Sequence, residues 1–492
     1  MIKRLRQLAI AVACCSVIST TIAQETNPDL DFDSLFAEAV EKQEKDGIWS
    51  GWRLSGYLKN ETAYRIREPR SITKIRNIAY LNAQYPVNSR VDFNFTGWAY
   101  YDLAYDLYNY DTIAARLERN SEEPLAFVQN LSKEKDSPVA AIRELYFDVG
   151  FNKLDLRIGK QYVIWGVLEG VRIVDEINPM DFRELILPDL IDYRIPLWTV
   201  KLDYYTDAGD VELLWIPDLR FNKPAPPGSE WELLQEVPGT RKPKSWRLEN
   251  SEFGIKYDTY LADTELSFSY FYTWDDFPVI FRTVKIGASA SEGPVFFPTY
   301  TRISIYGMTA VKQVGDYVLK SELAYVKDKF FGRSNIADAN NDTYVDTNGE
   351  AQKDHVRFGV GVDFVTLGWD VSVGGVEWVV LDYEKNLIQP RVDTSYNVFV
   401  RREFPQYAMT AQALWIYLQK QDESYLKPKL TFQLTDRFQI AVGLDLFNGL
   451  QSDFGLSSVT AQGQFNANIQ RAQFLGNFHD NDRIFFEFKY SY

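Results

Sequence analysis

The chain has 492 residues, with 53 Lys and Arg against 68 Asp and Glu and a formal charge of −15. That acidic balance excludes phosphate-tracking nucleic-acid binding. Its two cysteines, Cys14 and Cys15, sit so near the start that disulfides and thiolate metal sites are excluded from the rest of the chain.

Lys3, Arg4 and Arg6 precede an apolar run from Leu8 to Ile22, and Thr21-Ile22-Ala23 ahead of Gln24 has the small-x-small form of a signal-peptidase site. Residues 1–23 are therefore expected to be a secretory leader; the run is shorter and more broken by Ser and Thr than a spanning helix of roughly 20 apolar residues requires. In residues 24–47, Leu35, Phe36, Ala39 and Val40 recur at helical spacing between a cap at Asp33 and a stop at Gly47. This predicts a short amphipathic periplasmic lead-in, with a plug or a docking handle for a periplasmic partner as its alternatives.

From Gly51 onward the period changes from 3.6 to 2. In residues 91–102, Val91, Phe93, Phe95, Gly97, Ala99 and Tyr101 alternate with Asp92, Asn94, Thr96, Trp98, Tyr100 and Asp102. The pattern returns around Trp198–Tyr204, Val356–Phe364 and Phe438–Leu446. No later apolar run is long enough for a membrane helix, while the composition is 15% aromatic, with 30 Tyr and 12 Trp. A chain that is polar on average yet crowded with aromatics suits a barrel with interfacial girdles.

The connectors support that reading. Short turns fall near 86–89, 150–153, 206–210, 261–263, 314–316, 366–368, 404–406 and 435–437. Longer segments lie between them, at 67–73, 104–140, 160–195, 218–249, 275–299, 328–353, 382–393, 420–424 and 448–481. Short turns on one side, long loops on the other and both ends on the short-turn side describe an all-β, transmembrane, antiparallel up-and-down β-barrel. The parse gives about 18 strands, within a range of 16 to 20, because 469–478 reads as a further strand. Inward positions carry both signs: Asp155, Arg157, Lys201, Asp203, Arg357, Asp363, Glu487 and Lys489.

The segment from Arg157 to Pro196 is long for a connector and too rich in Ile, Leu, Trp and Val for a solvated loop, so residues 160–195 are expected to fold into the lumen and narrow it. Lys160, Gln161, Trp165, Glu169, Arg172, Asp175, Asn178, Asp181, Arg183 and Glu184 are its candidate constriction residues. Charged members would tie it to the wall, while Trp165, Ile173, Ile177 and Phe182 offer apolar surface. Bracing the loop and contacting solute are both open roles.

Further along, Asp338, Asn340, Asp342 and Asp346 repeat oxygen ligands at two-residue spacing in an acidic loop; calcium is the functional reading and a solvated loop the plain one, since Thr343 stands where a calcium loop wants glycine. No other cofactor is expected. His355 and His479 lack an identifiable partner set, and Gly287 to Ser291 fails as a nucleophile elbow, so no enzyme is expected. The chain ends with Phe486, Phe488, Tyr490 and Tyr492 at every second position, a terminal strand with the form of the signal read by the outer-membrane insertion machinery.

Gly159, Lys160, Gln161, Trp165, Gly166, Asp175, Asn178, Pro179 and Asp181, continued by Arg183 and Glu184, resemble the motif of an uncharacterised family of Gram-negative outer-membrane proteins. The start of that motif is also similar to the Arg-x-Gly-basic-Gln strand of alginate-export barrels. The resemblance implies an outer-membrane barrel, seated in lipid, whose relatives are encoded beside efflux-type inner-membrane transporters and are suspected of moving lipids or other hydrophobic compounds. The expected function is a channel or transfer protein for a lipid-like solute, with a general aqueous porin and a structural or adhesive barrel as alternatives.

Overall fold

The computed structural model describes residues 51–107, 139–168, 170–225, 230–231, 239–283, 295–333, 350–450 and 474–492. The leader, the lead-in helix, Glu169 and the calcium candidates Asp338, Asn340, Asp342 and Asp346 lie outside the described residues.

The first nine strands are β1 (Arg53–Arg65), β2 (Ser71–Asn88), β3 (Val91–Asp102), β4 (Val139–Gly150), β5 (Leu154–Gln161), β6 (Leu197–Thr206), β7 (Gly209–Ile216), β8 (Glu252–Leu261) and β9 (Thr264–Trp274). A small separate hairpin of β10 (Val279–Thr283) and β11 (Val295–Thr299) follows. The remaining nine are β12 (Arg302–Val314), β13 (Tyr317–Gly332), β14 (Glu350–Thr366), β15 (Trp369–Val380), β16 (Val392–Phe404), β17 (Met409–Leu418), β18 (Glu423–Gln433), β19 (Phe438–Asn448) and β20 (Arg483–Ser491). Apart from the hairpin, each strand pairs with its neighbours in the chain, and β9 pairs with β12. β1 then pairs with β20 in unbroken antiparallel register from Tyr57↔Ser491 to Arg65↔Arg483, which closes an 18-stranded barrel.

All eight short turns fall where turn chemistry and the change of periodicity place them. The connector 275–299 holds the β10–β11 hairpin, which alternation did not separate from loop. The extra strand considered at 469–478 is not formed by its described part, where 476–481 is a 3₁₀ turn.

Period-2 alternation decides what faces lipid. Ile158, Leu213, Phe268, Phe358, Val360 and Val373 point outward and stay exposed, as do Phe486, Phe488, Tyr490 and Tyr492 of the terminal strand. Tyr270, Tyr306 and Tyr325 stand side by side on three adjacent strands, with ring centroids 4.9 and 6.0 Å apart, as part of an aromatic girdle. The inward register carries the charges. Such a barrel spans an outer membrane, because a closed ladder with an apolar outer face leaves no backbone group unpaired in hydrocarbon.

Val360→Arg, on the lipid face, is expected to lower the unfolding free energy in lipid vesicles by about 2–4 kcal/mol. Lys320→Arg, on the inward register of the paired strand, is expected to stay within about 0.5 kcal/mol. Denaturant titration of folded protein in vesicles checks both.

Candidate functional site

Residues 162–196 join β5 to β6 and make their contacts with inward-facing wall residues. At their start, Gly159 on β5 has φ +143°, and a Cβ there would sit 2.6 Å from the Tyr146 backbone, so the first residue of the motif must be glycine. Gln161 is fully buried at the end of β5, its amide donating to the Thr199 carbonyl at 3.1 Å. Asn178 holds the segment's two ends together: its Oδ1 accepts from Val163 N (2.9 Å) and its Nδ2 donates to the Ile195 carbonyl (2.9 Å). Asp175 pairs with Arg194, both buried, and Arg172 donates to the carbonyls of Asp175 (2.6 Å) and Asn178 (2.9 Å). These residues brace the segment itself.

The wall receives the segment through missing side chains. A Cβ on Gly361 would lie 2.7 Å from Leu168, one on Gly254 2.8 Å from Trp165 and one on Gly307 2.9 Å from Val174, while Gly359 leaves room for Ile173 and Leu168. Trp165, Ile173, Val174 and Ile177 are thereby buried against Leu214, Phe271, Ile305 and Ala324. Full burial of each such side chain is worth about 1.5–3 kcal/mol. The Trp165 indole N–H donates to Glu212 on β7 at 2.6 Å.

Glu322 on β13 is the polar counterpart. Its buried carboxylate accepts three backbone N–H groups, from Val167 (2.5 Å), Leu168 (2.7 Å) and Val174 (3.2 Å). Nearby, Arg357 on β14 donates to Glu176 at 2.7 Å while its guanidinium lies over Trp378.

The other half of the segment meets a different part of the wall. Glu184, in a 3₁₀ turn at Phe182–Glu184, accepts from Lys74 on β2 at 2.8 Å and pairs with Arg76. Burial pushes its carboxyl up, but Arg76 and Lys74 outweigh burial and hold it down to about 2. Asp181 and Arg183 pair with each other (2.5 Å) and face the same space. Leu185 and Leu187 are buried with Trp231, Tyr425 and Phe447, and Lys427 on β18 donates to the Leu187 carbonyl at 2.5 Å. Around the ring β14 and β2 lie eight strands apart one way and ten the other, so one segment is fastened to nearly opposite walls.

Beside it is a cavity of about 900 Å³, lined by the 181–193 stretch on one side and by β1–β3 and β18–β20 on the other. Trp98 and Tyr100 face into it from the polar register of β3, because Arg143 stacks over Trp98 (4.4 Å) and Arg76 over Tyr100 (4.6 Å).

Lys160 departs from expectation. It belongs to β5, not to the loop, and shares the outward register of Ile158, its Nζ donating to the Ile142 carbonyl at 2.9 Å. A long basic side chain near a strand end can lie outward while its amine finds a carbonyl. The expected wall residues do line the inner register, mostly in pairs: Arg157 with Asp148 (2.6 Å), Lys201 with Asp203 (2.7 Å), Lys320 with Asp363 (2.5 Å), and Asp155 accepting from Tyr205 (2.9 Å). Sequence reasoning missed Glu322, Lys74, Arg76 and Lys427. The glycines at inward positions of β14 were a visible signal of an approaching element.

No curated protein matches the sequence. Among solved structures, Acinetobacter baumannii OccAB1 is 9% identical, with a TM-score of 0.48 over 92% of this chain and 99% of that one. Pseudomonas aeruginosa OccK2 (OpdF), solved in complex with glucuronate, is 10% identical, with a TM-score of 0.46 over 89% and 97%. The trimer form of Vibrio cholerae OmpT is 10% identical, with a TM-score of 0.33 over 90% and 99%. The family model described as a protein of unknown function (DUF1302) matches residues 73–492. The chain, an outer-membrane β-barrel, belongs to the DUF1302 family.

Proposed function

We propose that the protein is an outer-membrane channel or transfer protein for an amphiphilic, lipid-like solute, and that residues 162–196 form the element that restricts passage. The observation that carries this reading is the cavity beside the segment. Its lining joins aromatic surface, Tyr57, Trp98, Tyr100 and Tyr300, to buried cations. The half-buried Lys427, also in the lining, makes no ion pair among the described residues and donates only to a backbone carbonyl. A ligand with an apolar body and an acidic head matches that combination.

A general aqueous porin is favoured instead by the mixed charge of the inner wall. Because most of those charges pair with each other, that reading predicts weak ion preference.

Single-channel recording separates the two. The parent is expected to be nearly closed, and a variant with 166–190 replaced by a short Gly-Ser linker is expected to conduct. Large steady conductance in both would leave the porin reading standing. Glu322→Ala orphans three N–H groups at about 1–3 kcal/mol each and is expected to raise the open fraction while the barrel keeps its folded mobility on gels.

The Glu184 pairing also sets a pH dependence. A carboxyl with a lowered folded pKa contributes stability above its ordinary value of 4.5 and loses it as the pH falls through the folded value, about 2. The hold that Glu184 gives the segment is therefore expected to be complete above 4.5 and to fade between 4.5 and about 2, so Glu184→Gln is expected to conduct more than the parent above 4.5 and to lose that difference as the pH falls to 2; equal conductance of the two above 4.5 would contradict this role for Glu184.

A further inference from the structure

On the outer face of β1 the apolar register is interrupted. Leu58 and Tyr64 are exposed to lipid, but the two outward positions between them are Asn60 and Thr62. Their partners on β20 are the lipid-facing Phe488 and Phe486. On β2, Asn77 is exposed on the same face. Thr62 Oγ1 donates to Asn60 Oδ1 at 3.0 Å, and Asn60 Nδ2 donates to Asn77 Oδ1 at 2.9 Å. This polar chain spans the β1–β2 seam near the middle of β1. Among the described residues nothing accepts from the Asn77 amide N–H groups. Amides facing hydrocarbon are costly, and mutual bonding only partly offsets that cost.

The cavity lies directly behind this place. It is lined by the inward residues Glu61 and Ala63 and also by outward Thr62, and on β20 by inward Phe485 and Glu487 and also by outward Phe486. On the inner side, Glu61 binds Lys59 (2.7 Å) and Lys74 (2.5 Å), so polar groups stand on both sides of the wall within a few residues of one strand.

We propose that the β1–β2 seam is a lateral portal through which an amphiphile passes between the lumenal cavity and the surrounding lipid. Asn60, Thr62 and Asn77 carry its polar head, and Leu58, Phe486 and Phe488 flank its apolar part. The portal is placed on the β2 side of β1 because that is the seam across which the polar side chains of Asn60 and Asn77 meet. The proposal rests on the amphiphile reading given above.

The chain has no cysteine beyond Cys15, so a disulfide can be placed across the seam. Asn60 and Asn77 stand on paired strands with their side chains in contact, which brings cysteines at these positions within reach of each other. The double variant Asn60→Cys with Asn77→Cys, in the full chain in vesicles, is compared oxidised and reduced, with a dansyl-labelled long-chain fatty acid as probe. The expected result is that the barrel binds the probe in both states, that the oxidised form releases it to the bilayer only at the protein-free rate, and that reduction restores transfer. Equal transfer in both states would overturn the portal and leave the amphiphile reading intact. No probe binding in either state would overturn the amphiphile reading, and the portal with it. Disulfide-linked pairs of chains from Asn60→Cys alone would assign the notch to a contact between copies and overturn the portal too.

Discussion

Inside a bilayer each backbone N–H and C=O must find its partner within the protein, since hydrocarbon offers none. The pairing of β20 with β1 meets that demand by joining the ends of an 18-strand ladder. Once the ring is closed, alternation has one solution: apolar side chains outward, charges inward. The lumen is thus a polar space, and any apolar segment that enters it needs a surface made for it.

That surface is built by subtraction. Gly254, Gly307, Gly359 and Gly361 sit on three strands at inward positions where a Cβ would crowd Trp165, Val174, Ile173 or Leu168. Around these seats, Glu322 satisfies backbone donors that the segment could not pair by itself. At the far side, Glu184 meets two cations of β2. Buried ion pairs contribute little net stability because desolvation offsets their attraction, but removing one partner is costly. Such contacts fix where the segment lies more than they strengthen the barrel.

Much of this was legible in the sequence, for local reasons. Alternation in 91–102 and turn chemistry at sites such as Gly150–Lys153 depend only on neighbouring residues, so the strand number and connectors could be read directly. The segment 157–196 stood out because Trp165, Ile173 and Ile177 have no place in a solvated loop. The direction of Lys160 was also readable from Ile158, two residues earlier, but its charge suggested the lumen. Glu322 and Lys74 were not readable: each meets the segment across more than a hundred residues of chain, and nothing local marks either as a partner. Gly359 and Gly361 were visible as inward glycines, yet their meaning depends on the side chains that fill them.

Residues 162–196 lie in seats on the inner wall, and the rest of the interior is arranged around them. Disulfide trapping tests this placement most directly, with Ile173→Cys and Gly359→Cys introduced together and oxidised in intact membranes. Near-complete intramolecular cross-linking is expected, keeping the channel closed and resisting opening by Glu322→Ala. Absence of the cross-link, with Ile173→Cys freely modified by a bulky water-soluble thiol reagent, would contradict it.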